Sequence, residues 1–208
     1  HDFFSLSNSE LIAHLYESYG EKCVEKVRGP FAFALWDSKE KMLLLARDRA
    51  GERALFYTLV DGDFLFASEI KALLRYEEYK KDLNLQGLDY FFSWGNVPAS
   101  DTLFQGIKKL LPACILKYEK GNVTLKKYWK LDFSKIDYAL DENAWCKIIY
   151  DALVDSIQIR LKKGPFGILL GGLDSSTMAS LMKKLTCEPI KSFTLTFEEK
   201  EFNEPYAR

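Results

Sequence analysis

Residues 167–180 read GILLGGLDSSTMAS, an apolar run, a glycine pair, and then Asp174, Ser175 and Ser176 at the start of a helical pattern. A loop that leaves a strand and opens a helix presents unpaired backbone N–H groups and the positive end of the helix dipole to whatever lies above it. Phosphate suits that position. Gly171 and Gly172 remove Cβ atoms that would hinder close approach and permit positive φ, and the two serines add hydroxyl donors. Asp174 repels a phosphate unless a cation lies between them, which points to Mg²⁺ accompanying a nucleotide. The same residues also suit a plain strand-to-helix turn with Asp or Ser as the N-cap. Neither GxxxxGK[ST] nor GxGxxG is present, so the residues alone leave both readings open.

The rest of the chain must position this loop. Its 208 residues, 48% hydrophobic, suffice for one large or two small cores. Formal charge nearly cancels at −1, which argues against a nucleic-acid partner. Cys23, Cys114, Cys146 and Cys187 form no CxxC pair, so neither a zinc site nor a disulfide framework is expected, and a reducing cytoplasm fits. No apolar run is long enough to span a membrane and no signal-peptide pattern is present, so neither membrane insertion nor secretion is expected. The start at His1 suggests a processed or incomplete N-terminus.

Residues 9–19 carry Leu11, Ile12, Leu15, Tyr16 and Tyr19 at helical spacing, with Ser9 as the expected N-cap and Gly20 beyond the end. FAFALWD, KMLLLARDR, LFYTLV and DFLFAS then read as an antiparallel meander with a hairpin at Asp61-Gly62. Short helices are predicted at 68–75 and 84–93, and ACILKYE and VTLKKYW pair through a turn at Lys120-Gly121-Asn122. The first half is thus α+β, antiparallel sheets covered by helices. Residues 132–143 are polar and irregular, as a linker would be. A helical stripe follows over 144–162 (Trp145, Ile148, Ile149, Ala152, Leu153, Ile157, Leu161). FGILL then reads as a strand buried on both faces, 175–185 as a helix and KSFTLTF as the next strand, the βαβ order of a parallel α/β sheet. One such unit is too small to stand alone, so a chain cut at its C-terminus is expected.

LLGGLDSS resembles the SGGxDS pyrophosphate loop of N-type ATP pyrophosphatases, and PFGILLGGLDSSTMASLM resembles the version in glutamine-dependent asparagine synthetases. VRGPFAFALWD, LLLARDRAGERALFY and FLFASEIKALL resemble later strands of that family's N-terminal glutaminase domain, a class II glutamine amidotransferase of the N-terminal-nucleophile hydrolase fold. SDTLFQGIKKLLPACIL and KKYWKLDF resemble the segment leading to its linker. The resemblance implies the C-terminal part of a glutaminase-like domain over 1–133, a linker over 134–143, and the start of an α/β parallel-sheet ATP pyrophosphatase domain over 144–208. It implies a two-site enzyme in which glutamine supplies ammonia and ATP adenylates the aspartate side chain. Glutamine, aspartate and ATP with Mg²⁺ are then the expected small molecules, and a homodimer stays open. Leu170, Gly171, Gly172, Asp174, Ser175 and Ser176 would line the ATP pocket, with Asp174 as the metal candidate. Leu195 would reach the base through its backbone, or else be a core residue. Asn8 stands where the family usually has an Asp that binds the glutamine amino group, or else simply marks helix entry.

Three departures accompany the match. The family's N-terminal nucleophilic cysteine is missing, so no catalytic residue is assigned, and Cys23 reads as a packed thiol. Asn8 cannot form the ion pair of an Asp. The glycine loop is one residue shorter than the family's, as is the spacing around Pro205 between Glu204 and Tyr206. These departures keep two alternatives open: a carboxylate-adenylating synthetase without glutaminase activity, of the β-lactam synthetase or lasso-peptide cyclase type, and a non-catalytic homologue. His14 has too few partners in sequence for a metal site or triad, RDRAGER (47–53) reads as a structural turn, Asp37 and Asp48 as no catalytic pair, and DYFFSWG as the buried face of a short helix.

Overall fold

Asp61 and Gly62 adopt φ of 49° and 94°, and Lys120 and Gly121 adopt 51° and 81°, the left-handed pairs that two-residue hairpins require. The computed structural model that contains these turns describes residues 4, 5, 7–134, 139–161 and 164–196. Residues 135–138 of the expected linker, the last residue of KSFTLTF and the spacing around Pro205 lie outside the described residues. The chain divides into two compact units, His1–Asp132 and Phe133–Arg208.

The first unit opens with α1 (Asn8–Tyr19) and α2 (Cys23–Lys26). Its strands are β1 (Ala32–Asp37), β2 (Met42–Arg47), β3 (Phe56–Val60), β4 (Asp63–Ala67), β5 (Lys108–Lys109), β6 (Cys114–Glu119) and β7 (Asn122–Lys127). They form two sheets, β1-β2-β6-β7 and β4-β3-β5, all pairs antiparallel. The expected single meander is therefore wrong, because β2 takes β6 as its second neighbour and β3 starts another sheet. Side-chain alternation on β2 explains the stacking. Met42, Leu44 and Ala46 join Cys23, Val24 and Ile115, with Leu15 and Tyr16 of α1 against them. Leu45 faces the other way, into a cluster with Leu55, Leu110 and Leu116 on which Tyr57 and Phe64 of the second sheet pack. The far face of that second sheet, through Phe56, Val60 and Leu65, meets α3 (Ile70–Leu73) at Leu73. The order is helix, sheet, sheet, helix. Each fully buried leucine in it contributes about 1.5–3 kcal/mol.

The helix start is corrected from Ser9 to Ser7. Ser7 Oγ accepts from Glu10 N at 3.2 Å, while the Glu10 carboxylate reaches back to Phe4 N and Ser5 N at 2.5 and 2.6 Å. The S-x-x-E spacing places both caps one turn ahead of the first apolar residues.

The RDRAGER turn is structural, as expected. Asp48 is buried, and its carboxylate accepts from Ala50 N and Glu52 N at one oxygen and from Arg53 N and Phe31 N at the other, at 3.0–3.3 Å. Burial pushes its carboxyl up, but the N–H groups of Arg53, Glu52 and Phe31 outweigh this and hold it below the usual carboxylate range. Arg47 donates to the carbonyls of Arg53, Leu110 and Gly51 at 2.5–2.6 Å, fastening the turn to a segment 63 positions away.

The aromatic stretch is corrected as well. In α4 (Leu85–Trp94), Phe92 is 79% and Trp94 65% exposed. The helix seats through its first turn instead: Asn84 Nδ2 donates to Thr102 O at 3.0 Å, and a Cβ on Gly87 would lie 2.5 Å from that carbonyl.

In the second unit, α5 (Glu142–Gln158) is capped by Asp141, whose Oδ1 accepts from Ala144 N at 2.8 Å. β8 (Phe166–Leu169), α6 (Leu173–Leu185) and β9 (Ile190–Phe193) follow, with β8 and β9 parallel in the register Phe166↔Ile190 to Leu169↔Phe193. The expected βαβ order holds. Burial of β8 on both faces does not: Phe166, Ile168 and Ile190 are half-buried on one face, whereas Leu169 and Phe193 on the other are each 59% exposed. Among the described residues only two strands make up this sheet, and α6 packs against both. No helix among the described residues is long and apolar enough to cross a membrane.

Candidate functional site

β8 ends at Leu169, yet the ladder runs one step further, because Leu170 N donates to Phe193 O at 2.7 Å. That bond ties the carboxyl ends of β8 and β9 together. Gly171 and Gly172 then pass directly into α6. Gly172 is its N-cap with φ −175° and ψ −167°, an extended conformation open to any residue, and Gly171 is not among the residues with positive φ. The positive φ that these glycines permit is not adopted, and Gly172 takes the N-cap that the plain-turn reading gave to Asp or Ser. A Cβ at either position would meet nothing within 4 Å, so the packing of the loop itself does not require glycine there.

The serines organise the loop. Ser175 Oγ accepts from Gly171 N at 3.1 Å and Gly172 N at 3.2 Å, and donates to Gly172 O at 3.0 Å. Ser176 N and Oγ both donate to the same carbonyl, at 3.1 and 2.8 Å. A hydroxyl has one donor and two acceptor sites, so that of Ser175 is fully used within the loop. An anion that takes the two glycine amides must displace it. Asp174 is exposed in the first turn of α6, where the helix dipole favours a carboxylate. Among the described residues no cluster of three or more His, Cys, Asp or Glu could hold a metal. One Asp is nonetheless a fitting donor for Mg²⁺, which is usually held by one or two carboxylates together with substrate phosphates.

Leu195 lies two residues beyond β9 and is 66% exposed. The fold thus brings Leu170, Gly171, Gly172, Asp174, Ser175, Ser176 and Leu195 to the carboxyl edge of one parallel strand pair, where open α/β sheets bind ligands. Asn8 belongs to the first unit, exposed at the entry of α1. A groove of about 530 Å³ opens beside Ser176, lined by Ile149, Tyr150 and Leu153 of α5 and by Ser180 and Leu181 of α6. The sequence signal for this groove wall is the i, i+4 spacing of Ile149 and Leu153 in the helical stripe.

The remaining candidates have structural roles. Cys23 is fully buried, and burial pushes its thiol up, away from reactivity. His14 Nδ1 lies 3.1 Å from Glu17 Oε2, and its Nε2 3.8 Å from Glu10 Oε1, contacts along one helix. Asp37 accepts from Tyr16 OH at 2.9 Å and from Lys39 N at 2.9 Å.

A helix-sheet-sheet-helix unit followed by a parallel strand pair with a glycine loop at its carboxyl edge defines the class: an antiparallel α+β domain followed by a parallel α/β unit. A family model described as glutamine amidotransferase domain matches residues 1–129, and one described as asparagine synthase matches residues 149–208. Asparagine synthetase [glutamine-hydrolyzing] 3 of Bacillus subtilis (strain 168) is 32% identical over 208 residues, covering 97% of this chain and 34% of its own length. The Bacillus subtilis (strain 168) synthetase numbered 1 is 31% identical, with 95% and 31% covered. Amidase chyE of Penicillium rubens is 32% identical, with 95% and 31% covered. A solved structure of the allosteric regulatory enzyme of purine biosynthesis is 16% identical with a TM-score of 0.43, covering 100% of this chain and 43% of that one. The chain belongs to the glutamine amidotransferase domain family through its first unit, and its second unit matches asparagine synthase. It spans about a third of the length of these curated relatives.

Proposed function

We propose that the protein acts as a glutamine-hydrolysing asparagine synthetase and that this chain supplies the ATP side of the site. The observation that carries this reading is the pair of glycine amides held by the Ser175 hydroxyl at the carboxyl edge of β8 and β9, in a chain that matches the two family models in the order amidotransferase then synthase. The aspartate side-chain carboxylate attacks the α-phosphorus of ATP, forming the acyl-adenylate as pyrophosphate departs. Ammonia from glutamine then attacks the acyl carbon, and AMP leaves. Negative charge develops on the departing pyrophosphate, and donors fixed at that point lower the barrier.

Gly171 N and Gly172 N donate to pyrophosphate oxygens, exchanging the Ser175 hydroxyl for the ligand, and Ser175 and Ser176 turn their hydroxyls outward to the same group. Leu170 and Leu195 flank the loop, Leu195 offering its backbone to the base. Mg²⁺, held by Asp174 and the phosphates, would neutralise charge there. Asn8 accepts a hydrogen bond from the glutamine amino group without the ion pair of an Asp. Cytoplasmic placement accords with four unpaired cysteines. Synthetases without glutaminase activity are not favoured, since the relatives named above as synthetases carry the words glutamine-hydrolyzing.

The test supplies the complete protein with ATP, aspartate and amide-¹⁵N glutamine. Labelled asparagine formed together with AMP supports the proposal. Glutamine hydrolysis without AMP, or no labelled amide, overturns it.

A further inference from the structure

We draw no further inference here: the strongest candidate, the exposed aromatic face of α4 carrying Phe91, Phe92 and Trp94, is an unpartnered apolar surface, and nothing in the structure shows what covers it.

Discussion

Ser175 Oγ and Gly171 N lie 3.1 Å apart, so the hydroxyl of the first helical turn accepts from the loop amide that the proposed pyrophosphate contact uses. The same oxygen also holds Gly172 N. Substituting Ser175→Ala removes the acceptor from both amides. Two neutral hydrogen bonds at about 1 kcal/mol each predict that, without nucleotide, the Gly171 and Gly172 amides exchange with solvent at least ten-fold faster. Amide exchange resolved at these residues checks this, and unchanged rates would show that Ser175 does not hold the loop.

Asp174 is the loop's one carboxylate. Asp174→Ala should lower pyrophosphate release by 100-fold or more, in the range of lost preorganised charge contacts, while leaving the circular-dichroism spectrum in place. Its side chain is exposed, so the fold loses only the dipole interaction of the first turn, about 0.3–1 kcal/mol. Activity equal to wild type would take Asp174 out of the site.

How much of this was legible depended on whether the deciding contacts are local. Asp61-Gly62 and Lys120-Gly121 announce their hairpins because the turn itself demands left-handed residues. The βαβ order of the second unit was readable from the change of period between FGILL and the helix after it. The division into two sheets was not, since Arg47 binds Leu110 O, 63 positions away, and no local pattern encodes that. DYFFSWG misled because Gly87, outside that stretch, is the residue that seats the helix. In the loop, residue types suggested the ligand, but Ser175 reaching back to the glycines is a side-chain choice visible only in three dimensions.

Asp48 offers a stability test. In Asp48→Asn an NH₂ donor replaces one carboxylate oxygen and faces backbone N–H groups that now lack an acceptor. A loss of about 3 kcal/mol at neutral pH is expected from denaturant unfolding.

The pH dependence of that difference has a definite sign. The folded Asp48 carboxyl lies below its ordinary value of 3.8. Its contribution is therefore present above the unfolded value and is lost as pH falls through the lower folded one. The gap between wild type and Asp48→Asn should narrow in unfolding experiments below about pH 4; a gap that widens there contradicts the account.

Gly87 lies against Thr102 O, a backbone atom that cannot swing aside. Gly87→Ala should cost about 1–3 kcal/mol, despite the better helix propensity of alanine. A thermal midpoint equal to or above that of wild type would mean that α4 is not seated through this contact.

The central claim is that the glycine loop cradles the pyrophosphate of ATP during activation of a carboxylate. The most direct measurement is pyrophosphate release from ATP by the complete protein, with and without aspartate. Release that depends on aspartate and is matched by AMP is the expected result. No release with aspartate or a related carboxylate would contradict it.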